Sequence, residues 1–257
     1  MNARVSWISL TPVKATMLHL VDEVEVSESG VRGDRRFYLV TEAGRLVSNK
    51  DFGPLQLVRA DYDEADDALT MRFEDGTELS GGVERGEEVV TTFHKRPRTA
   101  RLVIGPWSDA VSELVGEPFR LVEPEWPATD RGRGGAATLL ATTSLDRLAA
   151  QLGVDTIDHR RFRMNFGIEG VGAHEEDDWC GQRVRIGDVV VVPQGNVGRC
   201  VITTQNPDTG RTDLDTLKGL AAYRSDADTT EPLAFGVHAA VVEAGRVRVG
   251  DAVELLA

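Results

Sequence analysis

The sequence predicts a mostly β protein with a few helices, in which an N-terminal β-barrel-like domain precedes a second β-barrel domain. Apolar residues alternate with polar ones through much of the first 95 residues, three stretches with helical spacing follow, and the chain then returns to strands. Because the pattern changes near Arg96-Pro97-Arg98, we predict one domain over residues 1–95 and another over residues 96–257.

The first domain is predicted to consist of strands and turns. Residues 69–73 alternate between apolar and polar side chains and lead into Glu74-Asp75-Gly76, which is typical of a strand that ends in a hairpin. Residues 36–40 form another β-rich run, and residues 42–44 follow it as a turn.

Three amphipathic helices are predicted in the second domain. The first covers residues 107–115, the second follows Thr143, and the third begins near Thr212. Polar side chains are expected to cap their first turns and glycines to end the first two: Ser108 in the first helix, the capping-box pairs Thr143–Asp146 and Thr212–Asp215 in the others, and Gly116 and Gly153 at the ends.

Two segments of similar sequence, residues 183–190 and 246–253, follow or separate these helices. Each predicts a strand, a Gly-Asp turn and a second strand. Two such corners favour a closed or nearly closed barrel.

The composition limits the classes of partner and the location. The chain has 257 residues, a hydrophobic content of 41% and a formal net charge of -13, so it can fill a core but repels polyphosphates. We therefore expect no nucleic acid or membrane partner. Because no apolar run reaches the roughly 18 residues of a membrane span and no apolar signal segment follows Met1, we predict a cytoplasmic protein.

The residue that most needs an explanation is Cys200, which lies in the segment 198–210. The neighbouring Arg199 favours a thiolate, the form that binds metals and attacks electrophiles. A lone cysteine is more often a structural residue, and Cys180 is expected to be one. The common nucleotide-binding and hydrolase motifs are missing, and the glycine-rich residues 132–135 are predicted to form a flexible loop.

Positively charged residues elsewhere in the chain suggest an anion site. If folding brings Lys14, Arg36, Arg163 and Asn165 together, they would hold a phosphate-bearing cofactor through paired donors. The same donors leave open an anion of another kind, such as a pyridoxal phosphate-like group. Surface ion pairing is the alternative.

The string Arg199-Cys200-x-x-Thr203-Thr204-x-x-Pro207-Asp208-Thr209-Gly210 resembles a motif of the MOSC domain family. Further matches lie along nearly the whole chain: Pro12-Val13-Lys14, Asp34-Arg35-Arg36-Phe37, residues 161–165, Glu176-Asp177-Asp178-Trp179, Ile186-Gly187-Asp188 and Phe235-Gly236. The chain is similar to two-part members with an N-terminal MOSC β-barrel domain, such as the mitochondrial amidoxime-reducing component and its bacterial relatives.

The resemblance implies a molybdenum-cofactor oxidoreductase that reduces N-hydroxylated or N-oxygenated compounds. It implies Cys200 as the thiolate ligand of molybdenum, Arg199 as the residue that tunes it, and Lys14, Arg36, Arg163 and Asn165 as contacts to the molybdopterin and its phosphate. An external electron-transfer protein of the flavin, iron–sulfur or cytochrome type would supply the electrons.

The chain departs from the family pattern at several of the positions implied to contact the cofactor. Ala15, Met164 and Gly198 replace the usual residues. Gly134-Gly135-Ala136-Ala137-Thr138 replaces the usual loop of acidic and hydroxyl-bearing residues, and Ser48-Asn49-Lys50 lacks an Arg-Gln pair. His238 is a further candidate for cofactor binding, with a packed strand histidine as the alternative. A cofactor or sulfur carrier that uses Cys200, and molybdenum-free thiol or C–S chemistry on the same fold, remain as other functions.

Overall fold

The computed structural model describes residues 3–256 and confirms the mostly β class. Within these residues there are three helices, α1 (Trp107–Val115), α2 (Thr142–Leu152) and α3 (Thr216–Arg224). The strands of the first part are β1 (Arg4–Leu10), β2 (His19–Val21), β3 (Glu23–Ser27), β4 (Gly30–Val31), β5 (Tyr38–Thr41), β6 (Arg59–Asp63), β7 (Ala68–Arg72), β8 (Glu78–Gly82), β9 (Glu84–Phe93), β10 (Arg96–Ile104) and β11 (Phe119–Pro124). The remaining strands are β12 (Ala137–Ala141), β13 (Phe166–Glu169), β14 (Arg183–Ile186), β15 (Val189–Gly198), β16 (Ala234–Glu243), β17 (Gly245–Arg248) and β18 (Val253–Leu256).

The largest sheet has eight strands in the order β18-β14-β15-β16-β12-β13-β1-β2. Strands β12 and β13 are parallel because α2 lies between them in the sequence, and β1 pairs antiparallel with β13 through Ile8 and Phe166. A cluster of buried valines, isoleucines and alanines covers one face, and a second cluster packs α2 and α3 beside the sheet. The first strand of the chain therefore belongs to the sheet that is built mainly from the second half.

Strands β3 and β4 pair with β17 and pack against the large sheet, whereas most strands that follow them in the first half form a separate core. Strands β5, β11, β10 and β9 make one sheet, strands β6, β7 and β8 make another, and both pack with α1 around buried aromatic and aliphatic side chains. The division that the sequence predicts between residues 95 and 96 falls in the turn between the paired strands β9 and β10, and it stays a prediction.

The local turn signals are confirmed. Strands β7 and β8 form the predicted hairpin, in which Gly76 has a φ of 88°. Both Gly-Asp corners contain a left-handed glycine, Gly187 and Gly250. Strand β17 pairs with β3, however, whereas β18 pairs with β14, so the second corner joins two sheets.

The helices lie where the spacing predicts them, but their first turns differ from the prediction. Gly116 and Gly153 end α1 and α2 in the left-handed conformation. Ser108 lies inside α1 and its hydroxyl accepts from the Leu121 amide, whereas Thr143 donates to the Val171 carbonyl. Asp215 is itself the cap of α3 and accepts from the Lys218 amide, so this helix begins one turn later than predicted. None of the helices in the described part of the chain is both long enough and apolar enough to cross a membrane.

Candidate functional site

Three basic side chains meet where the loop after β1, the loop between β4 and β5 and the segment before β13 come together. Arg35 donates from Nη2 to the Arg163 carbonyl at 2.8 Å, and Arg163 donates from Nη2 to the Thr16 carbonyl at 2.7 Å. Lys14 lies close enough to both arginines for their positive charges to lower its pKa. The structure therefore brings together two of the predicted basic residues, Lys14 and Arg163, and adds Arg35.

This group of positive charges is not fully balanced by the protein. Burial, followed by the charge of Arg35, lowers the pKa of Arg163 to about 9. Burial also lowers the pKa of Lys14, while the repulsion from Arg35 and Arg163 acts in the same direction. No carboxylate within residues 3–256 forms an ion pair with the Arg163 guanidinium. Such a site favours an anion that supplies the missing negative charge.

The backbone of this site is strained at three residues. Ala15, Arg35 and Arg163 have φ values of 80°, 49° and 54°, a region that residues with a Cβ rarely adopt. Left-handed residues of this kind persist where the surrounding contacts hold them, and they are common at functional sites. In this chain they turn the Arg35 and Arg163 side chains toward the same place.

Arg36 does not join the site, which differs from the sequence-based prediction. Its guanidinium pairs with Glu123 at 2.6 Å and lies over the Tyr62 ring. Successive side chains of an extended segment point to opposite sides, and the left-handed Arg35 precedes this one. Arg35 therefore occupies the position that the sequence analysis gave to Arg36.

Asn165 lies at the base of the site and is occupied by contacts within the protein. Its Nδ2 donates to Asp34 Oδ2 at 3.0 Å and to the Ser9 carbonyl at 3.3 Å, and its Oδ1 accepts from Thr138 at 2.9 Å. Asp34 in turn forms an ion pair with Arg35. Asn165 thus orients Asp34 and Arg35, and its side chain is only 3% exposed.

Cys200 is exposed and begins the short 3-10 helix Val201–Thr204. The neighbouring Arg199 points the other way, into the protein, where Nε donates to the Phe235 carbonyl and Nη1 donates to the Phe162 carbonyl, both at 2.9 Å. Its Nη2 contacts the Met164 sulfur at 2.9 Å. Phe162 and Met164 flank Arg163, so Arg199 joins the cysteine loop to the turn that carries Arg163.

The rest of the segment 198–210 is held by the first half of the chain. Gln56 Nε2 donates to the side-chain oxygen Oε1 of Gln205 at 2.7 Å, and Gln205 Nε2 donates to the Asn49 backbone carbonyl at 3.1 Å. Gly53 and Gly210 are in backbone contact, since a Cβ on Gly53 would lie 2.2 Å from the Gly210 oxygen. These contacts fix Cys200 relative to the elements that carry the basic residues.

His238 lies on β16, next to the glycine-rich segment. Its Nδ1 is 2.7 Å from the Gly134 carbonyl oxygen, and burial lowers its pKa, which favours a neutral ring that donates from Nδ1. Residues 132–135 form a 3-10 helix instead of the predicted flexible loop. No hydrogen bond among the described residues joins His238 to Lys14 or Arg163.

Two acidic residues to which the sequence assigned no role in the site lie near these elements: Asp130, and Glu176 of the matched string Glu176-Asp177-Asp178-Trp179. Asp130 contacts Lys14. Glu176 is fully buried, its Oε1 accepts from the Ala141 amide at 3.2 Å, and its Oε2 has no hydrogen-bond partner in the part of the chain that the structure describes. Burial raises the pKa of Glu176 to about 7. No local sequence signal distinguishes Asp130 from the other acidic residues of the chain.

The donor set suits a bound anion and a single thiolate ligand. Lys14, Arg35 and Arg163 can hold a phosphate, and Cys200 can supply a soft sulfur ligand to a metal. Residues 3–256 contain no cluster of three or more His, Cys, Asp or Glu residues arranged to hold a metal ion. The residues present therefore fit a cofactor in which an anionic organic group carries the metal.

Two family models match this chain. The model described as the MOSC N-terminal beta barrel domain matches residues 2–112, and the model described as the MOSC domain matches residues 130–254.

Curated relatives match over nearly the whole chain. The chain is 26% identical to the mitochondrial amidoxime-reducing component 1 of Mus musculus over 98% of its own length and 82% of that protein. It is 28% identical to the mitochondrial amidoxime reducing component 2 of Bos taurus, over 97% of this chain and 82% of that protein. Among solved structures, the YUAD protein from Bacillus subtilis matches 99% of this chain and 96% of its own with 12% identity and a TM-score of 0.49.

Proposed function

Because the chain belongs to the MOSC domain family, in the two-part form with an N-terminal MOSC β domain, we propose that it is a molybdenum-cofactor-dependent oxidoreductase that reduces N-hydroxylated or otherwise N-oxygenated compounds. Relatives that align over nearly the whole chain are named amidoxime-reducing components. The proposal gives Cys200 the role of the protein ligand to molybdenum.

The observation that carries the proposal is the link made by Arg199. This residue is adjacent to the exposed Cys200, and its guanidinium contacts both residues that flank Arg163. A ligand that is held by its phosphate at Arg163 and by its metal at Cys200 would bridge two elements that the protein already joins.

Each residue has a role that follows from its contacts. Lys14, Arg35 and Arg163 bind the phosphate, and Asn165 keeps Arg35 in place through Asp34. Arg199 orients the Cys200 loop, because its guanidinium donates to the Phe235 carbonyl. His238 is proposed to contact the cofactor from β16.

The bound cofactor would supply two-electron oxygen-atom transfer chemistry at the metal. The overall reaction takes the N-oxygenated compound, two electrons and two protons to the reduced nitrogen compound and water. We propose that an external redox protein delivers the electrons and that the reaction takes place in the cytoplasm.

The proposal is tested by the Cys200→Ser variant. The wild-type protein and a Cys180→Ser control, both expressed in a host that makes the cofactor, should contain about one molybdenum per chain and should reduce a hydroxylamine or amidoxime when a chemical reductant is supplied. Cys200→Ser should lose the activity and most of the metal. Full metal content and turnover in Cys200→Ser would reject the assignment of Cys200.

The exposure of Cys200 also favours a second function, that of a carrier that transfers the cofactor or a persulfide sulfur from this thiol. Transfer of molybdenum to an acceptor apoenzyme, without turnover of N-oxygenated compounds, would support the carrier. Chemistry at Cys200 without molybdenum would instead give turnover of thiol compounds by metal-free protein.

A further inference from the structure

The side chain of Asp130 contacts Lys14, one of the three residues (Lys14, Arg35 and Arg163) that form the basic group of the anion site. One carboxylate oxygen, Oδ1, accepts from Lys14 Nζ at 2.5 Å and from His94 Nε2 at 2.9 Å. Lys14 is mostly buried, with 14% of its side chain exposed, whereas the side chain of Asp130 is 61% exposed. The carboxylate thus reaches Lys14 from the solvent side.

The loop around Asp130 is attached to the same basic group. The Ala128 amide donates to the Arg35 carbonyl at 2.6 Å, and Arg98 donates to the Pro127 carbonyl at 3.0 Å. On the other side of Asp130, Arg131 forms an ion pair with Glu231 at 2.5 Å. The main chain is therefore anchored on both sides of Asp130, whereas the exposed Asp130 side chain can move away from Lys14 by rotation about its own bonds.

The interior next to the basic group holds little space. The cavity lined by Arg163, Gln56 and Pro207 has a volume of ≈ 10 Å³, which is about the room for one water molecule. This cavity is too small for a phosphate group, whereas the Asp130 carboxylate that contacts Lys14 is open to solvent. Because like charges repel, the carboxylate and a phosphate compete for the same ammonium group.

We propose that Asp130 is an internal competitor that occupies the phosphate position of the anion site and is displaced when the anionic ligand binds. This inference rests on the proposed function, since it concerns how that site accepts its ligand. His94, at the β9–β10 turn, holds Asp130 in the closed position as the second donor to the same oxygen. The contact neutralises the charge of Lys14 until a ligand with more negative charge replaces Asp130.

The test is calorimetric titration of the purified protein with inorganic phosphate, in a buffer without other oxyanions. Asp130→Asn keeps the shape and the acceptor oxygen but removes the charge, so it should bind phosphate about tenfold more tightly than the wild type. The matched control is Glu64→Gln, which removes an exposed carboxylate that pairs with Arg32 elsewhere on the surface. It should leave phosphate affinity unchanged.

Lys14→Met, alone and combined with Asp130→Asn, identifies the site that is titrated and should abolish the phosphate signal in both backgrounds. Equal or weaker phosphate binding by Asp130→Asn would overturn the proposal, as would tighter binding that persists without Lys14. The titration uses no molybdenum, so its failure is distinct from retention of metal by Cys200→Ser, which would reject the proposed function instead.

Discussion

Arg199 and Met164 are joined by a contact of 2.9 Å between Nη2 and the thioether sulfur, beside the carbonyl of Phe162 that accepts from Nη1. The planar guanidinium makes four contacts through its nitrogens, and two of these contacts are to the Phe235 carbonyl. A lysine ammonium cannot reproduce this pattern, because it is a single point charge on a flexible stem.

Arg199→Lys is therefore expected to lower the free energy of unfolding by about 1–3 kcal/mol, since carbonyls that now accept from Arg199 would lose their partner. Urea unfolding followed by tryptophan fluorescence measures the change. Arg183→Lys is the control, because Arg183 is exposed and pairs with Glu243 at the surface. Equal effects of the two substitutions would show that the Arg199 contacts do not stabilise the fold.

Ala15→Gly is expected to stabilise the protein by about 0.5–1 kcal/mol, because it removes the strain of a Cβ at a φ of 80°. The same change at Ala149, which is buried in α2, should instead destabilise the protein by about 1 kcal/mol. Thermal and urea unfolding of the two variants check the opposite signs. A loss of stability in Ala15→Gly would mean that burial of the methyl group outweighs the strain.

Glu176 should make stability depend on pH. Burial raises its pKa from 4.5 to about 7, so the folded protein binds the proton more tightly than the unfolded chain does. This contribution is complete below about pH 4.5 and is lost as the pH rises toward 7, where a buried charge must form.

Glu176→Gln removes this titration. Relative to the wild type, the variant should gain about 2–3 kcal/mol in unfolding free energy between pH 5 and pH 8. Urea unfolding across that range measures the gain, and Glu113→Gln on the exposed side of α1 is the control that should show no such trend. A difference between Glu176→Gln and the wild type that is independent of pH would contradict the assignment.

Gly53→Ala should disturb the cysteine loop, because the new Cβ would lie 2.2 Å from the Gly210 carbonyl oxygen. We expect a loss of about 1–3 kcal/mol in stability and faster proteolysis of the segment 198–210. Gly82→Ala is the control, since a Cβ there meets no atom within 4 Å. Unchanged proteolysis in Gly53→Ala would indicate that the loop does not depend on this contact.

The sequence predicts those features of the fold that depend on neighbouring residues. The β7–β8 hairpin and the glycine ends of α1 and α2 follow from turn chemistry within a few residues. The helix starts were less predictable, because a hydroxyl such as that of Ser108 can bind an amide of a distant strand instead of its own helix.

The candidate site is harder to predict because its geometry comes from distant segments. Lys14 and Arg163 carry a recognisable pattern, but whether Arg35 or Arg36 joins them depends on the left-handed backbone at Arg35. Asn165 proves to be a support for Asp34, which only the three-dimensional contacts reveal. Asp130 reaches Lys14 from more than a hundred positions away, and no motif marks it.

The pairing of β1 with β13 has a consequence for how the protein is made. Ile8 leaves the ribosome before its partner Phe166, which is synthesised on the order of 10 s later at the usual rate of translation. During that interval the edge of β1 has no β13 to pair with, and the eight-stranded sheet cannot form in full. This sheet therefore cannot fold until the second half of the chain has been synthesised. The folding rate of the sheet should reflect a contact between residues that are far apart in the sequence.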